Sequence, residues 1–414
     1  PLTRMPPAPA DEERRLARLV RAHDRWRGRE VFNLLASENA VSPAARRLLA
    51  SDLAGRYTLP MDVTFDGERI DNSYAGTRYT DRVERLANDA AARLFRARWA
   101  TTRPLSGHIA GVAALAPLLP RGAKLLAVEP SAGGYDGYAP GYLPALFGWS
   151  VRPLPTASPA TPLDADAVSE EIRRERPAAV VLGQSFVLFP YPLRAIAEAA
   201  HAHDALVLYD ASHVLGLVAG GRFQDPLREG ADVVFGSTHK SFPGPQGGLL
   251  ATDREDLFQQ IAPALAWRVL DNAHWNRIAA LGQTLLELER WGAEYARTTV
   301  ENARALGRAL MERGIPLRAA DRGFTESHQL HLDRAELRAR HGLAPGALAR
   351  RWERSHLIAD LVGRLGTAEI ARLGLVPEEM PRLAELLYRS GPGGERLRGE
   401  VRAWRRSFTA LRFR

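Results

Sequence analysis

The chain has 414 residues, 45% hydrophobic and 25% charged, values of an ordinary globular protein that exclude a disordered or fibrous one. It contains no cysteine, which excludes a disulfide framework, a thiolate metal site and a cysteine nucleophile. The net charge of +8 comes from 56 Lys and Arg scattered among 48 Asp and Glu, as in Glu12-Glu13-Arg14-Arg15, rather than from a one-sided patch, so no nucleic-acid partner is expected.

In chain order, Pro1 to Arg15 mixes prolines and charges where a secretory signal needs an apolar core. No apolar run reaches the roughly 18 residues of a membrane helix, and a cytoplasmic protein without a membrane partner is expected. Residues 11 to 28 carry Leu16, Leu19 and Val20 at helical spacing amid charges, which predicts an amphipathic helix in an N-terminal arm over 1–30. A large domain over 31–295 follows, in which short apolar runs alternate with helical patterns. The runs are Lys124 to Val128, Ala178 to Leu182, Ala205 to Tyr209, Asp232 to Phe235 and Gly248 to Ala251, with a helix between Pro192 and Ala202. Uniformly apolar strands separated by helices indicate an α/β fold, a mostly parallel sheet covered on both faces, whose ligands collect beyond the carboxyl ends of the strands. From 276 to 313 the pattern is helical, and a strand opening at Gly314-Ile315-Pro316 starts a smaller C-terminal α+β domain over 296–414, punctuated by Pro/Gly bends at 342–346 and 391–394.

Asp210 follows one of these apolar runs, His213 comes three residues later, and Ser237-Thr238-His239-Lys240 follows the next, ahead of Gly244 and Gly247-Gly248. Lysine is rare in this chain: of the 56 basic residues only Lys124 and Lys240 are lysines. Arginine cannot lose its proton, whereas a desolvated lysine becomes an amine nucleophile able to form an imine. Lys124 heads a strand, at the end remote from the expected site, so Lys240 is the residue whose identity needs a chemical reason. An imine-forming lysine with an aspartate at a strand end is the pair a pyridoxal phosphate enzyme requires, the aspartate meeting the protonated ring nitrogen.

Leu34-Leu35-Ala36-Ser37-Glu38-Asn39, Asp210-Ala211-Ser212-His213, and Ser237-Thr238-His239-Lys240 with Gly244-Pro245-Gln246-Gly247-Gly248 resemble, in register from about Asn33 to Arg372, the serine hydroxymethyltransferase family. Ser106-Gly107, Gly133-Gly134, Ser185, Asn302 to Leu306 and Gly363-Arg364-Leu365-Gly366-Thr367 extend the match. The resemblance implies a fold type I pyridoxal phosphate transferase, a homodimer or dimer of dimers with sites at the subunit interface, no metal, and an amino-acid substrate. It implies that Lys240 carries the cofactor, that Asp210 pairs with the ring nitrogen, and that His213 and Ser185 lie at the phenolic edge. Ser106, Gly107, His108, Ser237 and His239 are then expected around the phosphate, Arg364 and Ser37 at the substrate carboxylate, and Tyr57 and Tyr79 near the substrate, Tyr57 in the neighbouring subunit's site.

The chain also departs from the family pattern. Tyr135 stands where a histidine usually stacks on the cofactor ring, Leu59 where a glutamate handles protons of the substrate hydroxyl and folate, Thr80 for the second tyrosine of a pair, and Gln246 where an arginine is typical. An insertion, Met61 to Ser73, offers Asp62, Asp66, Glu68 or Asp71 as replacement carboxylates, and Ala266 to Trp275 replaces the phosphate loop expected there. Cofactor-holding groups are thus kept while folate-facing ones are altered. The leading expectation is a folate-independent aldolase or transaldolase of specialised metabolism, making or breaking the Cα–Cβ bond of a β-hydroxy or β-substituted L-amino acid. Alternatives are β-elimination, transamination or decarboxylation-coupled deamination of a modified amino acid such as an S-substituted cysteine, and a catalytically silent binding protein.

Overall fold

The computed structural model describes residues 9–156, 158, 160–390 and 394–414, without the side chains of residues 60 and 62; the candidate carboxylate of Asp62 and most of the bend at 391–394 lie outside them. In chain order the strands are β1 (Phe32–Asn33), β2 (Pro60–Phe65), β3 (Glu68–Asn72), β4 (Trp99–Thr101), β5 (Lys124–Ala127), β6 (Ser150–Pro153), β7 (Ala179–Leu182), β8 (Leu206–Asp210), β9 (Val233–Ser237), β10 (Gly248–Thr252), β11 (Gln329–His331), β12 (Leu357–Ile358) and β13 (Arg364–Gly366). β4 to β10 form one seven-stranded sheet in the order β4-β10-β9-β8-β7-β5-β6. Its pairings from β9 through to β6 are parallel, and only β10 runs against its two neighbours.

The pleat explains the uniformly apolar strands. Successive side chains point to opposite faces, and both faces are covered. Val180, Leu182, Val207, Tyr209 and Val234 enter one core, while Ala179, Val181, Leu208, Val233 and Phe235 enter the other. A third core gathers C-terminal residues such as Leu348, Trp352, Leu383 and Trp404, and takes in Phe32 and Leu34 because β1 pairs in parallel with β12.

The helix Trp275–Glu312, 38 residues long, joins these cores. The expected division between 295 and 296 falls inside it: Tyr295, Ala296 and Val300 still pack in the first core, and Ala305 to Leu310 in the third. Helical hydrogen bonding continues through the change of partners, so the backbone has no break there. The strand opening expected at 314–316 is also absent. Gly314, at φ 79°, and Ile315 donate back to the helix end, leaving only an isolated bridge between Leu317 and Leu332. The N-terminal helix spans Pro9–Arg29 and has no buried residue; Leu16, Leu19 and Val20 are all exposed. No helix among the described residues is long and apolar enough to cross a membrane.

Candidate active site

Three parallel strands run out on one side of the sheet, and their carboxyl ends build a cavity. β7 continues into Gly183-Gln184-Ser185, β8 ends on Asp210 and β9 on Ser237; these ends, with Gly107, His108, Tyr135, Ser212, His213 and Lys240, line it. Close approach of β7 to β8 needs a residue without a side chain: a Cβ on Gly183 would lie 2.8 Å from that of Asp210. The Asp210 carboxylate accepts the Ser212 N–H at 2.9 Å on Oδ1 and the Tyr138 hydroxyl at 2.7 Å on Oδ2. Its direction is therefore fixed from two sides.

Lys240 sits on a loop closed between β9 and β10. Thr238 N–H donates to the Gly247 carbonyl, Gly244 N–H to the Thr238 carbonyl, and Thr238 Oγ1 to the Pro245 carbonyl. From the N-terminal segment, Asn39 Nδ2 donates to the Lys240 carbonyl at 2.9 Å, and Tyr295 Oη donates to the Ser241 carbonyl at 2.6 Å. Burial pulls the Lys240 ammonium down to about 8; Asp210 opposes that shift and Arg364 adds to it. The amine thus shares its surroundings with both residues.

One wall is the N-terminus of the helix Gly107–Leu115, where Ser106 Oγ accepts the Ile109 N–H as N-cap. A Cβ on Gly107 would fall 2.1 Å from Ser237 Oγ and 2.9 Å from Ser212 Oγ, so this helix start lies against the β9 end only because residue 107 is glycine. His239 has an unpartnered, buried Nδ1, and burial beside Lys240 pulls its imidazole down to about 4. Tyr135 forms the adjoining wall, its hydroxyl 2.9 Å from His108 Nδ1 and its ring edge-on to Tyr138. Burial and the nearby Asp210 raise the Tyr135 phenol, keeping it protonated.

Arg364 opens β13 behind Ser185. Its Nε donates to Asp360 Oδ2 at 2.6 Å, its Nη1 to the Ser185 carbonyl at 2.5 Å, and its guanidinium lies 4.5 Å from the Phe186 ring centroid. Ser37 follows Ala36, whose Cα would be 2.6 Å from a Cβ on Gly366 in β13, and it is not among the residues lining the cavity.

Tyr57 and Tyr79 do not line the cavity of their own chain. Tyr57 donates to Asp271 Oδ2 at 3.1 Å and packs edge-on against Tyr74, while Tyr79 is 63% exposed beside Arg78. The insertion forms the exposed hairpin β2–β3, and Asp66, Glu68 and Asp71 face solvent there. Gln246 is exposed at the tip of the lysine loop, and Ala266 to Leu270 belong to a π-helical turn, Leu265–Leu270.

Sequence reasoning did not single out Tyr138, Gln184, His328, Gln329 or His331. Tyr138 follows Tyr135 by three residues and ends the short turn Asp136–Tyr138 that Tyr135 caps. His328 stacks on His213 with ring centroids 6.2 Å apart, and Gln329 bonds to it, on a strand far away in the chain.

The serine hydroxymethyltransferase family model matches residues 10–342. A serine hydroxymethyltransferase of Methanopyrus kandleri is 38% identical over 418 residues, covering 96% of this chain and 94% of that protein. That of Pyrobaculum arsenaticum is 37% identical over 407 residues, covering 95% and 93%. Among solved structures, an L-threonine transaldolase from Pseudomonas fluorescens in its internal aldimine state superimposes with a TM-score of 0.86 at 22% identity, covering 98% of this chain and 94% of the other, a likeness of fold.

Proposed function

The chain belongs to the serine hydroxymethyltransferase family of pyridoxal phosphate-dependent, fold type I enzymes, and from that premise we propose that it makes or breaks the Cα–Cβ bond of a β-hydroxy L-amino acid without folate, as an aldolase or transaldolase. The observation that carries the reading is the partition of the site. The desolvated Lys240 amine, Asp210 and the glycine-opened helix start share one cavity, while position 59, beside Tyr57, is a leucine that can move no proton and the hairpin's Asp66, Glu68 and Asp71 face solvent.

The residues present fit the cofactor. The unpartnered His239 Nδ1 and the N–H groups at Gly107 and His108 suit a phosphate; the Asp210 carboxylate suits a protonated ring nitrogen; Lys240 suits the aldehyde carbon. Bound there, pyridoxal phosphate supplies an electron sink for the bond broken at the substrate Cα.

The protein's own part is holding and proton handling. Arg364, set by Asp360 and the Ser185 carbonyl, would grip the substrate carboxylate and so fix how the substrate's Cα bonds are presented in the cavity. Tyr135, protonated and hydrogen bonded to His108, offers a proton at the cavity wall with an imidazole behind it to resupply it. Tyr57 and Tyr79 serve a second copy's cavity in a homodimer, which also covers Leu16, Leu19 and Val20.

Purified protein mixed with L-threonine and a panel of aldehydes is expected to release acetaldehyde without tetrahydrofolate. Failure to turn over any β-hydroxy amino acid, with cofactor bound, would overturn the proposal. Released thiol from S-substituted cysteines would favour β-elimination instead.

A further inference from the structure

Gln329 lies fully buried on β11, between the two halves of the site. Four neighbours leave its amide one orientation. The Val187 N–H can only donate and faces Oε1 at 3.3 Å; the Ser185 carbonyl can only accept and faces Nε2 at 3.2 Å. With the amide so fixed, its remaining N–H points at His213 Nδ1, 3.0 Å away, and its oxygen accepts from His331 Nε2 at 2.9 Å. His213 Nδ1 must therefore be a bare acceptor. A neutral imidazole then carries its proton on Nε2.

We propose that Gln329 is a positioning residue that locks His213 as an Nε2–H donor to the cofactor cavity and ties that lock, through the shared Ser185 carbonyl, to the arginine that grips the substrate. The charged and titratable groups around His213 are consistent with a neutral ring: Lys240 and Arg364 disfavour its protonation, His328 stacks on it, and burial holds it well below its ordinary range. The Ala36 carbonyl is paired with His328 Nε2 at 2.9 Å, which leaves the His213 Nε2–H free for the cavity. His331, on the far side of the amide, is likewise held neutral by burial and by Arg364. A ring so held donates a hydrogen bond and does not act as a base.

This inference rests on the cofactor reading above, and its test separates the two. A donor to the cofactor's phenolic oxygen stabilises negative charge there, most when the neighbouring imine nitrogen has lost its proton, and so lowers the imine pKa. Gln329→Leu keeps the bulk and removes the amide, freeing His213 to move its proton to Nδ1. The pH midpoint of the visible absorption band is expected to rise by about one unit in this variant, with cofactor content unchanged. A midpoint equal to that of the unsubstituted holoenzyme would overturn the proposal. Nitrogen-15 NMR of histidine-labelled holoenzyme, with His213 assigned from the spectrum of His213→Gln, needs no folded Gln329 variant: a proton on Nε2 supports the lock, and a proton on Nδ1 overturns it. A protein with no visible band, or a band that survives in Lys240→Ala, would defeat the cofactor reading instead, and the NMR result would still decide the Gln329 assignment.

Discussion

The two lysines show how one side chain takes two characters. Lys124 Nζ donates to the backbone carbonyl of Glu175 at 2.8 Å and lies 3.0 Å from its carboxylate, a partly exposed structural pair. Lys240, buried near Arg364, is held down to about 8 against its ordinary 10.5. Between those two values the unfolded chain binds a proton that the folded apoprotein does not, so apoprotein stability is expected to rise as pH goes from about 8 to 10.5. Over the same range the neutral amine is already available, and the rate of cofactor uptake by apoprotein is predicted to level off above a midpoint near 8 rather than near 10.5. A stopped-flow absorbance series across pH checks this, and a midpoint near that of free lysine would contradict it. Lys240 and Asp210 were legible in the sequence because a rare amine and an acid follow apolar runs that can only be buried strands. Gln329 was not, because its meaning depends on contact with His213 across 116 residues, which no local pattern encodes.

Among the elements, the helix Gly107–Leu115 is the one whose seating depends on a missing atom. Gly107→Ala places a Cβ against Ser237 Oγ and the Ser237 backbone nitrogen, and relief requires the helix start to retreat from the strand end. Overpacking of this kind costs about 1–3 kcal/mol, so cofactor affinity is expected to fall by roughly five- to a hundredfold, measured by fluorescence titration of apoprotein. Unchanged affinity would show that this helix start does not hold the phosphate. The buried strands β5, β7, β8, β9 and β10 follow the apolar runs to within a residue or two, since burial on both faces leaves no polar positions to obscure them. β4 and β6 were missed. They are the sheet's edges, and their exposed positions, Trp99 and Ser150 among them, break the apolar pattern. The hairpin β2–β3 did carry a readable signal in Asp66-Gly67, both at positive φ, the dipeptide that suits a tight two-residue turn.

At the scale of the whole molecule, a buried ion pair ties the short helix Ala368–Leu373 to the long helix. Arg372 Nη2 donates to Glu287 Oε2 at 3.0 Å, while Glu287 Oε1 accepts from Ser42 Oγ at 2.6 Å and Gln283 Nε2 at 3.1 Å. Arg372→Met leaves that carboxylate buried without its cation, and a loss of about 3–5 kcal/mol is expected. Because the long helix belongs to both cores, the loss should appear as one earlier transition in urea, coincident by fluorescence and far-UV circular dichroism; two separated transitions would show that the cores unfold independently. The division of the chain was hard to place from sequence for the same reason, since one helical pattern serves two cores and its periodicity does not change where its partners do.

That shared helix also limits how the site can move. Thr367 Oγ1 donates to the Thr299 carbonyl at 2.7 Å and Asn302 Nδ2 to the Leu375 carbonyl at 2.9 Å, riveting the segment after Arg364 to the stretch where the helix passes between cores. A hinge needs a few residues free to change φ and ψ, and this passage offers none without breaking helical turns. The arginine is thus presented from a rigid frame. Under the proposed function, discrimination among amino acids then falls to the side chains lining the pocket, not to a jaw that closes on its guest.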